Sequence, residues 1–284
     1  MTVVNPTARS SMVISADGTR IGYQTAGDGR PIIIIGGALR TGEDYLPLAR
    51  ELAESFAVHI VDRRGRGASG RQGLDYGVEK ECADLAAVQA VTGATAVFGH
   101  SYGGFVALEA ARRTGLFSDV VVYEPGVSIG GSVPVGWLPR YRELLAAGKT
   151  RAAFACFVRG SGSAPRPIAM MPTWYLRTVL RIMVRKEQWQ RMEPLLGACA
   201  AEHEQEARLD DGTADRYRSI EARVLLLGGS KSSASLTTEL LPALQQVIRD
   251  STVEILDGLD HFAPDEKAPA VVAERLRQFL SSTE

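Results

Sequence analysis

The residues with the clearest chemical potential lie in Gly99-His100-Ser101-Tyr102-Gly103, a G-x-S-x-G set directly after the apolar run 95–98 and before a helix-like segment. Strand, tight turn and helix in that order lift the serine hydroxyl clear of a sheet, facing a substrate. The flanking glycines suit a strained turn with neighbouring chains running close on either side. A serine hydroxyl is a weak nucleophile at neutral pH, so Ser101 needs a base within hydrogen-bond reach, and the base needs a third group to orient it. The chain offers four histidines. His59 falls inside a strand-like run, His100 is on the turn itself, and His203 lies in an acidic helical stretch. His261, in Gly258-Leu259-Asp260-His261-Phe262, follows the last strand-like run and precedes Pro264, which puts it on a loop where the strands end. It is the best candidate for the base.

The elements that must bring positions 101 and 261 together are legible as alternating runs. Short β-rich runs at 12–15 and 20–25, separated by Asp17-Gly18, read as a hairpin. The run 31–35 carries four consecutive isoleucines without alternation, as expected of a strand covered on both faces of a parallel sheet. A helix at 45–54, a strand at 57–61, a helix at 78–91, the strand at 95–98, a helix at 103–114 ending on Gly115 and a strand at 119–123 follow. The alternation stops at Pro125-Gly126 and resumes with a strand at 223–227, a helix at 236–248, a strand at 252–256 and a last helix at 270–280. Repeated βα crossover predicts an α/β fold with a doubly wound, mostly parallel, eight-stranded sheet. Residues 127–222 read as helices only, which predicts a helical lid inserted into a core made of 1–126 and 223–284. No repeat with a period of 20–50 residues is present.

Composition removes several function classes. With 45% hydrophobic and 23% charged residues, 29 glycines and 13 prolines, the chain is neither disordered nor collagen-like. Its 32 Lys+Arg against 33 Asp+Glu leave a formal charge of −1, so no global field draws it to nucleic acid or an anionic membrane. The expected partner is a small-molecule acyl substrate, with no nucleic acid and no membrane. Three cysteines, Cys82, Cys156 and Cys199, without CxxC or Cys/His spacing read as reduced thiols and point to a cytoplasmic location. Residues 1–10 contain no apolar signal core, and the longest apolar stretch, near 32–35, falls far short of the roughly 18 residues that cross a bilayer. Gly65-Arg66-Gly67-Ala68-Ser69-Gly70 spells G-x-G-x-x-G but continues polar through Arg71-Gln72-Gly73 instead of opening a helix, so it does not read as a dinucleotide fingerprint. Without a Walker loop, an H-E-x-x-H helix or an EF-hand loop, no cofactor and no metal are expected.

Taken with two further segments, the G-H-S-Y-G turn and the late histidine resemble the α/β-hydrolase superfamily over nearly the whole length outside 127–222. Ile35-Gly36-Gly37-Ala38 stands where that family has its oxyanion strand-loop, and Asp62-Arg63-Arg64-Gly65-Arg66-Gly67-Ala68-Ser69 is similar to its D-x-R-G-x-G-x-S segment. The chain departs from the family at the acid, usually carried after the strand that follows the lid. Here that strand runs into Gly228-Gly229-Ser230-Lys231-Ser232-Ser233, with no carboxylate. Some members place the acid at the end of the preceding core strand, where this chain has Glu124 in Val122-Tyr123-Glu124-Pro125. A charge ending an apolar strand is costly unless paired or solvated, which favours Glu124, with Asp257 and Asp260 as rivals. The resemblance implies a serine hydrolase cleaving an ester, thioester or lactone, with Ser101, His261 and Glu124 catalytic and the backbone N–H groups of Ala38 and Tyr102 forming the oxyanion hole. The same fold also accommodates a biosynthetic cyclase, a lyase or a C–C hydrolase, and a non-catalytic small-molecule binding protein.

Substrate information should lie in 127–222. All three tryptophans, Trp137, Trp174 and Trp189, fall there with Met170, Met171, Met183 and Met192, and suit either a largely apolar substrate or packing onto the core. Charge is uneven: residues 137–191 hold eleven Lys/Arg against Glu143 and Glu187, and residues 192–215 hold seven acids against Arg208. Two helical faces that pair or face water account for this, as does a basic mouth steering an anionic substrate.

Overall fold

The computed structural model describes residues 9–162 and 166–282; residues 1–8, on which the reading of the N-terminus largely rests, lie outside them. Strands β1 (Arg9–Ile14) and β2 (Arg20–Ala26) form the expected antiparallel hairpin, and β2 continues antiparallel to β4 (Phe56–Val61). From β4 onward every pairing is parallel, through β3 (Arg30–Ile35), β5 (Ala96–His100), β6 (Asp119–Tyr123), β7 (Arg223–Gly229) and β8 (Ser251–Leu256). The eight strands lie in the order β1-β2-β4-β3-β5-β6-β7-β8.

The isoleucine run explains the layering. Successive side chains of a strand leave opposite faces, so Ile33 and Ile35 join a core under α2 (Val78–Thr92), α3 (Tyr102–Thr114) and α10 (Leu241–Val247), while Ile32 and Ile34 join one under α1 (Leu46–Leu52) and α11 (Pro269–Ser281). Both faces being covered, alternation is absent from the sequence. The expected helix at 236–248 is split: residues 236–240 wind as a wider π-turn before α10, where Pro242 near its start lacks the N–H a continuous helix would use.

Between β6 and β7 the described residues form helices and loops only: α4 (Leu138–Ala146), α5 (Thr150–Gly160), α6 (Arg166–Ala169), α7 (Thr173–Met183), α8 (Lys186–Met192) and α9 (Leu196–Arg208), then a short 3-10 turn at Asp215–Ser219. They share a third hydrophobic cluster around Trp137, Tyr141, Phe154, Leu176 and Trp189, to which Leu39 is contributed by the loop after β3. Trp137 and Trp189 are thus packing residues, whereas Trp174 is 72% exposed. The acids of 192–215 turn largely away from the basic stretch: Glu202 pairs with Arg63 and Arg66 of the core, and Arg142 with Glu204 is the pair that joins the two stretches among the described residues. No helix among the described residues is long and apolar enough to cross a membrane.

Candidate active site

A parallel sheet delivers the C-terminal ends of its strands to one edge, where loops can gather residues distant in sequence. Ser101 follows β5, Ala38 follows β3, Glu124 follows β6 and His261 follows β8. Ser101 has φ 55° and ψ −123°, and Tyr102 opens α3 immediately after it. Just three non-glycine residues among the described ones have positive φ, namely Leu39, Ser101 and Glu124, and all three stand at this edge. Strained backbone persists where surrounding contacts over-determine it. The Ser101 N–H donates to Tyr123 O (3.0 Å), and the N–H groups of Gly104 and Gly126 donate to Ser101 O (2.8 and 2.9 Å).

Close approach explains the glycines of the turn. A Cβ on Gly99 would lie 2.7 Å from Gly104 Cα, one on Gly103 would lie 2.7 Å from Gly36 O, and one on Gly37 would lie 3.0 Å from Ser101 Cβ. The loop after β3 is therefore packed against the serine.

Glu124 is brought to His261. Its Oε2 accepts from His261 Nδ1 at 2.7 Å, and its Oε1 accepts from Gly229 N–H (2.8 Å) and Ser232 Oγ (2.5 Å). The carboxylate is 1% exposed and the imidazole 20%. With Nδ1 donating to the carboxylate, Nε2 is left as the acceptor, the tautomer a general base requires. The rivals go elsewhere: Asp257 accepts from Ser230 Oγ at 3.0 Å, while Asp260 accepts from Phe262 N–H at 3.0 Å and pairs with Lys267. No hydrogen bond joins Ser101 Oγ to His261 among the described residues. In free enzymes this bond is commonly long and tightens with substrate.

Two features of this edge were not legible in the sequence. First, His100 ties the base to the loop after β3: Gly37 N–H donates to Tyr45 Oη (2.9 Å), Tyr45 Oη donates to His100 Nδ1 (2.7 Å), and His100 Nε2–H donates to His261 O (2.8 Å). Burial, then the neighbouring His261, drops the His100 imidazole well below its usual value, so the ring is neutral and can accept at Nδ1 while donating at Nε2. Second, the buried Arg63 donates to the carbonyls of Gly36 and Gly37 (3.4 and 3.3 Å), pairs with Glu81 and Glu202, and lies 4.5 Å over the Tyr102 ring. The segment 65–70 wraps as a turn around Asp62, which accepts from Ala68 N–H (3.0 Å) and Gly42 N–H (3.1 Å), instead of opening a helix.

A strained serine at a strand–helix turn, with a histidine paired to a buried carboxylate at the same edge of a mostly parallel sheet, is a recognised arrangement, and the profile of the alpha/beta hydrolase family matches residues 32–275. The chain belongs to the alpha/beta hydrolase family. An alpha/beta hydrolase from Sphaerobacter thermophilus is 30% identical, with a TM-score of 0.80, over 95% of this chain and all of that one. The N-formylmaleamate deformylase of Pseudomonas putida is 33% identical over 121 residues, 40% of this hydrolase and 45% of the relative. A non-heme haloperoxidase of Rhodococcus erythropolis is 37% identical over 95 residues, 32% and 35% of the two chains. The chain thus spans less than half the length of these two curated relatives. The eight-stranded, mostly parallel sheet and the matching profile agree with the family expected from the sequence.

Proposed function

We propose that this alpha/beta hydrolase cleaves an ester, thioester or lactone of a largely apolar small molecule through a Ser101-His261-Glu124 triad. Ser101 Oγ attacks the acyl carbonyl while His261 Nε2 takes its proton. The backbone N–H groups of Ala38 and Tyr102 hold the oxyanion, charge that develops only as the carbonyl becomes tetrahedral. His261 then returns the proton to the leaving oxygen or sulfur, and a water, activated by the same imidazole, releases the acyl group and regenerates Ser101. Glu124 keeps Nδ1 protonated and balances the imidazolium. On this reading 127–222 is a lid over the core formed by 1–126 and 223–284.

The observation that supports the proposal is the 2.7 Å contact between His261 Nδ1 and a buried Glu124 at the sheet edge that also carries the strained Ser101. The test is labelling by a fluorophosphonate probe and turnover of p-nitrophenyl esters in wild type, Ser101→Ala and His261→Ala. Labelling and turnover should vanish in Ser101→Ala, and turnover should fall at least a thousandfold in His261→Ala. Labelling that persists in Ser101→Ala refutes the nucleophile, and undiminished conversion of a substrate by Ser101→Ala favours proton-transfer chemistry instead.

A further inference from the structure

Helix α9 turns Cys199, Glu202, His203 and Glu206 inward, an i, i+3, i+4, i+7 face laid against the active-site edge. Glu202 and Glu206 share that face one turn apart, yet only Glu202 meets cations. It takes Arg63 (3.0 Å) and Arg66 (2.5 Å), and Arg63 is also held by Glu81 (2.6 Å). Two guanidinium groups and two carboxylates already balance, so a charged Glu206 would leave this buried cluster one negative charge in excess.

Glu206 is 4% exposed and makes no hydrogen bond among the described residues; His203 Nε2 lies 4.0 Å from its Oε2. Burial, then the nearby Glu202, pushes its carboxyl well above the usual range, against a smaller opposing pull from Arg63. The neutral carboxylic acid is the form that fits. A Cβ at position 126 would lie 2.0 Å from Glu206 Oε1 and 3.5 Å from Tyr102 Cα, so only glycine fits there, and Gly126 N–H donates to Ser101 O. His203 adds the complementary group. Its Nδ1 bonds to Cys199 O (2.9 Å), an acceptor only, so Nδ1 carries the proton and Nε2 is bare while burial keeps the ring neutral.

One O–H donor, set against the Gly126 backbone that bonds to Ser101, and one bare nitrogen acceptor 4.0 Å from it match a carboxamide. Its oxygen and nitrogen lie about 2.3 Å apart, and hydrogen bonds of about 2.9 Å splaying from them reach partners roughly 4–5 Å apart. We infer that Glu206 and His203 determine specificity by binding a second, amide-like polar group on the acyl part of the substrate, the amide oxygen accepting from Glu206 and the amide N–H donating to His203 Nε2. This rests on the hydrolase reading for the position of the scissile bond, but not for the binding itself.

The experiment compares p-nitrophenyl succinamate with the isosteric p-nitrophenyl 4-methylpentanoate. In wild type the ratio of kcat/KM values should favour the succinamate at least tenfold. It should collapse at least tenfold in Glu206→Leu and in Glu206→Ala, and stay within about threefold of wild type in Glu206→Gln, which keeps an N–H donor. A ratio near one in wild type, or one unchanged in the Leu and Ala variants, overturns the inference. In parallel, calorimetry of N-phenylsuccinamide and N-phenyl-4-methylpentanamide with Ser101→Ala and Ser101→Ala/Glu206→Leu reads binding without chemistry. If wild type turns over neither ester, the hydrolase reading fails, while a preference for the succinamide that disappears in the double variant still upholds the site, and equal binding refutes it.

Discussion

Replacing Glu124 by glutamine changes one oxygen into an NH2 group and nothing else, and the surroundings dictate where that NH2 goes. Oε1 accepts from both Gly229 N–H and Ser232 Oγ, so turning the amide nitrogen toward them sets donor against donor in a site that is 1% exposed. A buried donor left unmet costs about 1–3 kcal/mol. The amide therefore keeps its oxygen on that side and presents its NH2 to His261 Nδ1, across the 2.7 Å contact. The ring must then accept at Nδ1 and carry its proton on Nε2, the tautomer that cannot take a proton from Ser101. Wrong-tautomer variants of other triads lose about 10⁴ in kcat, so a fall of about 10³–10⁴, or roughly 4–5.5 kcal/mol, is expected here. The assay is kcat on a p-nitrophenyl ester with the fraction of active sites counted by fluorophosphonate, alongside Asp257→Asn and Asp260→Asn, which should stay within about threefold of wild type. A Glu124→Gln variant within tenfold of wild type, or a larger loss at Asp260, would show that the buried carboxylate does not orient the base.

Ser232→Ala removes one of two donors to Glu124 Oε1 and should lower kcat about tenfold with KM held, given about 1–1.5 kcal/mol for such a bond; a loss as deep as that of Glu124→Gln would mean Ser232 does more than support the acid. Tyr45→Phe and His100→Gln each cut the chain from the Gly37 amide to the His261 carbonyl, so the double variant should lose no more kcat than the worse single one, whereas additive losses would deny the coupling. Gly103→Ala places a Cβ 2.7 Å from the Gly36 carbonyl, and urea unfolding should show a loss of about 2–3 kcal/mol despite alanine's better helix propensity. Because burial raises the Glu206 carboxyl, its contribution to stability is fully present below the unfolded carboxyl value near 4.5 and is lost as pH rises toward the folded one. The glutamine variant carries no such charge, so the stability of Glu206→Gln relative to wild type should grow by up to about 1.4 kcal/mol per pH unit over that window, read as the difference in melting temperature, and a constant difference would deny that Glu206 is neutral.

The amino-acid sequence by itself determined the layered sheet and the turn that carries Ser101, because both are written in local periods. The isoleucine run is buried on both faces, α3 ends on Gly115 in left-handed conformation with φ 63°, and the G-x-S-x-G glycines sit where neighbouring backbone leaves no space for a Cβ. The sequence also put His261 and Glu124 at strand ends, with Asp257 and Asp260 still open as the acid. What only the tertiary structure decided is who touches whom across that edge. Gly229 and Ser232 look in sequence like a turn that has lost its acid; folded, they hold the acid supplied by β6, 105 and 108 residues away. Arg63 and Glu202 are 139 residues apart, so no spacing rule pairs them, and the charge pattern of 137–215 suggested partners on neighbouring helices that the fold mostly does not use. Hydrophobic periodicity is a one-dimensional signal set by each element alone, whereas a buried charge takes whatever counter-charge the packing of distant elements brings within reach, and the upward shift of the Glu206 carboxyl follows from that packing.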